Sequence, residues 1–233
     1  MFWDSVLGGF GLLLSVRIWV GLVLYIVANL FTLGIGGALF SKDKTVAAGC
    51  LFTALVRPAL GAVFISLFVV SLFPVMLGAK EAVGFQMIRT MLWPICAAGL
   101  IAFIIVMLLG FVPILGSLIS ESVTLPTFIQ GVIVFRFFMA AVMASLPENE
   151  QPSNTNIYPG FWETIGYLLI AAVFARLAIF LSALIMAKSA QTGWEDKAEN
   201  LGVIIGLVFG VVGGFLPLFM YVQHVHHALV TSA

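Results

Sequence analysis

Long apolar runs separated by short polar turns fill almost the whole chain. In lipid, every backbone polar group must be satisfied inside the protein, which leaves helices and closed barrels as spanning structures. Barrel strands alternate apolar and polar positions in pieces of roughly ten residues. The runs here are continuous rather than alternating. A helix crosses the hydrocarbon layer, about 30 Å thick, in about 20 residues. The pattern therefore predicts an all-α, polytopic helical membrane protein. It has about six transmembrane helices plus a short N-terminal helix, in a single transmembrane helical domain over 1–233. The spans fall near 18–40, 46–79, 91–119, 123–146, 161–187 and 201–223.

Run length and proline position set these boundaries. The first run, 5–40, would measure about 54 Å as one helix, too long for one crossing, and a break is expected near Arg17. Arg57-Pro58 and Pro74 are the natural kinks of the second run. Pro94 and Pro113 lie near the two ends of the third. Pro126 falls in the first turn of the fourth, where a missing N–H costs no helical bond. Segment 1–16 reads as an amphipathic helix. Phe2, Trp3, Val6, Leu7, Phe10, Leu13 and Leu14 share one side, and Asp4, Gly8, Gly11 and Ser15 the other. Such a helix either lies in the membrane interface or packs its small face on a neighbouring span.

Composition strengthens the membrane assignment and removes other classes. Hydrophobic residues make up 62% of the chain and charged residues 9%. A soluble domain needs roughly 25% charged residues to hydrate its surface. Ten Lys+Arg balance ten Asp+Glu, so no basic surface exists for nucleic acid. The two cysteines, Cys50 and Cys96, lie in apolar runs without a CxxC motif and read as small buried hydrophobes. The loops 147–160 and 188–200 are too short to bury a core of their own.

The basic residues divide by type. All five lysines (42, 44, 80, 188, 197) sit in turns or at span ends, whereas Arg17, Arg57, Arg89, Arg136 and Arg176 lie in or beside apolar runs. An arginine at the bilayer centre costs roughly 2.5–17 kcal/mol, depending on how far it snorkels. Arg17 and Arg89, at span edges, are placed to reach headgroups. Arg136 and Arg176 stand near mid-membrane, and no acidic residue lies deep in any run. A guanidinium offers planar, bidentate donors that match phosphate and carboxylate. Arg136, Arg176 and Arg57 are therefore the expected residues of an anion or lipid-headgroup site. The alternative is internal hydrogen bonding or a partner subunit.

Gly202, Gly206, Gly210 and Gly214 recur every four residues in the last span, a small-residue face for close helix packing. His224, His226 and His227 follow it. Three imidazoles within four residues of one helix cannot converge on a metal, so His224 and His227 are weak zinc or copper ligands at best. No HExxH, GxSxG or Walker A motif occurs, which leaves no catalytic residue to nominate and no motif requiring a cofactor. Tyr158, Trp162 and Glu163 read as an aromatic interfacial anchor.

Two functions follow as expectations. The first is a transport or lipid-handling protein of a bacterial inner (cytoplasmic) membrane, with lipids as partners and the deep arginines at an anion or headgroup site. The second is a non-catalytic subunit of a larger membrane complex or homo-oligomer, packed through the glycine face of the last helix.

Overall fold

The computed structural model describes residues 1–16, 18–23, 26–27, 85–121, 124–145, 156–190 and 195–232. Among them the fold is entirely helical. The helices are α1 (Phe2–Leu12), α2 (Phe85–Leu109), α3 (Pro113–Glu121), α4 (Thr124–Ser145), α5 (Phe161–Ala190) and α6 (Glu195–Ser232). Three carry stretches long and apolar enough to cross a membrane: Thr124–Ala141, Phe161–Lys188 and Ile204–Thr231. Those three match the last three expected spans. The expected span 46–79 and most of 18–40 lie outside the described residues, as do Arg17, Arg57 and Cys50.

The expected span 91–119 is two helices rather than one. Pro113 has no N–H and disfavours helical backbone at the residue before it. The chain accordingly leaves α2 after Leu109 and restarts at Pro113, a position where proline is tolerated. Shorter i→i+3 bonds close the end of α2: Phe111 N–H to Leu108 O at 3.1 Å and Val112 N–H to Leu109 O at 3.0 Å. The turn is so tight that a Cβ on Gly116 would overlap the Gly110 carbonyl oxygen. The first break also falls earlier than Arg17. Helix α1 stops at Leu12, and Ile18 and Trp19 donate their amides to the Ser15 carbonyl as helix resumes.

Contacts divide the chain into two compact units. Unit 1 holds Met1–Gly11, Val106–Ile129 and Asn154–Ala233; unit 2 holds Leu12–Ile105 and Gln130–Ser153. In unit 2, the described buried side chains include Ile18, Leu22, Ala98, Ala102, Val134, Phe135, Phe138 and Met139.

Unit 1 is built on the antiparallel pair α5 and α6. The register holds along the whole pair. Met186 and Ser182 meet Gly202, Ser182 meets Gly206, Phe174 meets Gly213, Tyr167 meets Tyr221, and Glu163 meets His224. Each step down α5 is a step up α6. Burial separates the two helices: 65% of the α6 span is buried against 17% of the α5 span. Residues 213–222 of α6 are buried on every side, the signature of a central helix. Its core includes Phe215, Phe219 and Tyr221.

Small residues permit this. The start of α4 presses on α6 so closely that a Cβ at Gly214 would stand 2.8 Å from the Thr124 carbonyl oxygen. A Cβ at Gly213 would stand 2.7 Å from Phe174 Cβ. Helix α1 uses the same device: a Cβ at Gly9 would stand 3.1 Å from the Met220 amide nitrogen, and Gly8 faces Gln223. Ser5, Val6 and Gly9 are the buried face of α1, and the Phe2 ring lies 5.0 Å from Tyr167. The segment packs on α5 and α6, with Gly8 and Gly9 at the contact. Gly11 has open space around it, and Trp3 and Leu7 point outward. The amino terminus donates to Asp4 Oδ2 at 2.7 Å, and that bond and its charge hold the Asp4 carboxyl below the usual range.

These contacts predict opposite effects for one substitution at two glycines. Gly214→Ala drives a methyl group into a backbone oxygen that cannot swing aside, at a cost of about 1–3 kcal/mol. Gly11→Ala meets nothing and stays within about 1 kcal/mol of the parent. Thermal unfolding in mild detergent, followed by helical circular dichroism, reads both.

Candidate functional site

Three groups of residues bear on function. They are the mid-helix arginines, the glycine series, and a polar cluster where α5, α6 and α1 meet.

Arg176 lies about 22 Å along α5 from Phe161 and about 18 Å from Lys188, the two ends of that span. Its side chain is exposed, amid an exposed apolar ridge of Leu169, Val173, Leu177, Phe180 and Leu184. Arg136, in unit 2, lies about 18 Å along α4 from Thr124 and about 8 Å from Ala141, the two ends of that span, and is also exposed. Both arginines are therefore exposed on their helices. Each belongs to a different unit, and Arg57 lies outside the described residues.

The glycine series faces the chain's own helices. Gly202 packs on Met186 and Gly206 on Ser182, whose hydroxyl donates to the Gly202 carbonyl at 3.3 Å and to Ala178 O at 2.9 Å. Gly214 packs on Thr124 and Thr127, and Gly210 is buried.

The polar cluster begins with a helix cap. Gly160 precedes α5, and its N–H donates to Glu163 Oε2 at 2.8 Å, the reciprocal half of a capping box. Thr164 Oγ1 donates to the Gly160 carbonyl at 2.8 Å. The cap turns Glu163 away from the anchor role expected beside Trp162. Trp162 and Phe161 point outward, edge to face at 5.4 Å, whereas Glu163 faces α6. His224 Nε2 lies 3.6 Å from Glu163 Oε2, ion-pair contact but longer than a hydrogen bond. The imidazole side chain is 6% exposed and the carboxylate 37%.

Behind this pair, further polar atoms are buried. Among the described residues, His224 Nδ1, Tyr167 Oη and Thr124 Oγ1 make no hydrogen bond of ordinary length and angle, although the Ser5 hydroxyl lies beside Tyr167 Oη. Tyr167 is fully buried between Phe2 and Tyr221, whose rings lie 5.0 and 6.2 Å away. A buried polar group left unpaired costs about 1–3 kcal/mol, so two in the α5–α6 pair, with Thr124 of α4 as a third, weigh substantially against stability. Pro217 adds a fourth polar feature, because it offers no N–H to the Gly213 carbonyl one turn earlier.

The histidines do not gather. His224 faces Glu163, while the His226 and His227 rings lie 6.0 Å apart. Among the described residues, no three His, Cys, Asp or Glu side chains come together as metal ligands. The pairing of Glu163 with His224 went unread in the sequence, although two signals carry it. Glu163 sits at capping-box spacing from Gly160, and the glycine register, extended along the hairpin, brings it opposite His224. The chain matches no known protein family, no curated protein and no solved structure.

Glu163→Ala removes the cap acceptor and is expected to lower stability by about 1 kcal/mol. Glu163→Gln keeps an oxygen for the Gly160 N–H and recovers most of that loss. Thermal midpoints of the two variants, compared in one detergent, test the capping role separately from the charge.

Proposed function

We propose that this chain is an integral membrane protein of the transport or lipid-handling type, acting in a bacterial inner membrane. In this reading Arg136 and Arg176, with Arg57, contact an anion or lipid headgroup within the hydrocarbon layer. The observation that carries it is the exposure of two guanidiniums at mid-helix depth. Whatever contacts they keep within the chain, the exposed part of each faces hydrocarbon, at a cost of several kcal/mol. A water-soluble anion is held in an enclosed cavity, with its ligands turned inward. A lipid headgroup crossing the bilayer instead travels along outer helix surfaces, where Arg136 and Arg176 stand. Guanidinium and phosphate diester make short, charge-assisted, bidentate contacts. Lipid handling is thus the favoured branch.

A second reading, a non-catalytic subunit of a larger membrane complex or homo-oligomer, draws support from the α5 ridge. Leu169, Val173, Leu177, Phe180 and Leu184 form a continuous apolar strip beside Arg176. Docking then uses that strip, because the glycine series is already covered by the chain's own helices.

Translocation of a fluorescent anionic phospholipid in proteoliposomes separates the two. Under the first reading the protein accelerates translocation over empty vesicles, and Arg176→Gln or Arg136→Gln slows it by roughly tenfold or more, as loss of one charged hydrogen bond implies. Translocation no faster than in empty vesicles refutes it. Native mass spectrometry showing a fixed stoichiometry that Arg176→Leu dissolves establishes the second.

A further inference from the structure

Glu163, His224 and Tyr167 form a graded series. Glu163, at the start of the α5 span, is partly exposed, and His224 and Tyr167 lie buried behind it. Tyr167 follows Glu163 by one turn on α5, and His224 follows Tyr221 by about one turn on α6, so the four occupy adjacent layers of one interface. One imidazole nitrogen faces the carboxylate. The other, Nδ1, is buried with no partner among the described residues, and the Tyr167 hydroxyl has only the Ser5 hydroxyl beside it. Thr124 Oγ1 of α4, likewise without a partner among the described residues, lies further along α6, against Gly213. Buried polar atoms in native proteins are paired with protein or with ordered water. Internal water typically serves such orphaned groups with two to four hydrogen bonds.

We infer that Glu163, His224 and Tyr167 form a proton-relay site whose ligands are a proton and an internal water at His224 Nδ1 and the Tyr167 hydroxyl. In the relay, a hydronium at the internal position protonates Nδ1 and leaves as water. Once the 3.6 Å contact between Nε2 and Glu163 closes to hydrogen-bond length, the Nε2–H proton passes to the Glu163 carboxylate, giving a neutral carboxyl and the opposite imidazole tautomer. Glu163, open at the span end, then releases the proton outward, and rotation or reverse transfer resets the ring. Atoms and charge balance with no other reactant. Imidazole suits this role because its two nitrogens accept and donate on opposite edges. The charged and titratable groups around His224 are Glu163 and Tyr167 from α5, Tyr221 and His227 from α6, and the amino terminus ahead of α1. This inference is independent of the lipid reading, which rests on the arginines.

The chain has three histidines, so His226→Gln/His227→Gln leaves His224 as the one imidazole. That double variant, labelled with ¹⁵N-histidine and reconstituted in phosphatidylcholine bilayers, is titrated by solid-state NMR. The expected result is magnetization transfer from water to Nδ1, together with a pH-dependent change of both ring nitrogens. Adding Glu163→Gln, which keeps the helix cap, is expected to lower the midpoint, as loss of an adjacent opposite charge requires. A dry ring with no water transfer overturns the proposal, and so does a midpoint that ignores Glu163→Gln. Should the Gln variant fail to fold, water transfer and titration in the double-variant background alone decide it.

Discussion

Backbone-to-backbone approach between α6 and its neighbours sets the rest of unit 1. Gly206, Gly213 and Gly214 leave no Cβ where Ser182, Phe174 and Thr124 arrive. In a membrane the lipid is as apolar as leucine, so helices are held by van der Waals contact and interhelical hydrogen bonds rather than by exclusion of water. Small residues maximise that contact by letting the helix axes close. The same approach fixes register, because a shift of one helix past the other would drive side chains into these positions. Register then decides which polar groups face each other a full span away, and it brings Glu163 to His224.

The interface is tight at one end and polar at the other. Around Gly213 and Gly214 it is filled by Phe174, Thr124 and Thr127, and Ser182 ties α5 to α6 near Gly206 through the Gly202 carbonyl. Toward the start of α5 the contacts become aromatic and titratable: Tyr167, Tyr221, His224 and Glu163, with Phe2 of α1 laid over Tyr167. An apolar core would be cheaper to build here. Polar atoms in a buried layer carry a desolvation cost that an apolar core would not. Helix α1 covers this layer from one side, and Gly8 and Gly9 allow it to lie close against Gln223 and Met220.

The outer surface carries a different tension. Helix α5 offers lipid a nearly unbroken apolar ridge, yet Arg176 stands within it, more than a side-chain length from either end of the span. A lysine there would be no cheaper, and the chain keeps its lysines at turns and span ends. The separation of arginine from lysine fits a need for planar, bidentate donors at depth, since simple anchoring would be met by either residue. The buried polar layer and the exposed arginine thus lie on opposite kinds of surface of one helix, one facing protein and the other facing out.

Membrane residence, helical class and the last three spans were legible in the linear sequence, because 62% hydrophobic composition and run length act locally and without direction. The importance of the glycine series was legible too, since spacing by four places residues on one helix face whatever lies opposite. Its partners were not, because nothing in α6 alone says whether a neighbour comes from the same chain. Within 91–119 the helix breaks for a local reason, Gly110 and Pro113 together outweighing an apolar run. Only tertiary structure decided that Arg136 and Arg176 face outward, that α1 packs, and that Glu163 turns inward to a histidine 61 positions later in the chain. Those outcomes depend on which helix faces are covered, and coverage is set by contacts between residues far apart in sequence, which periodicity along one helix does not encode.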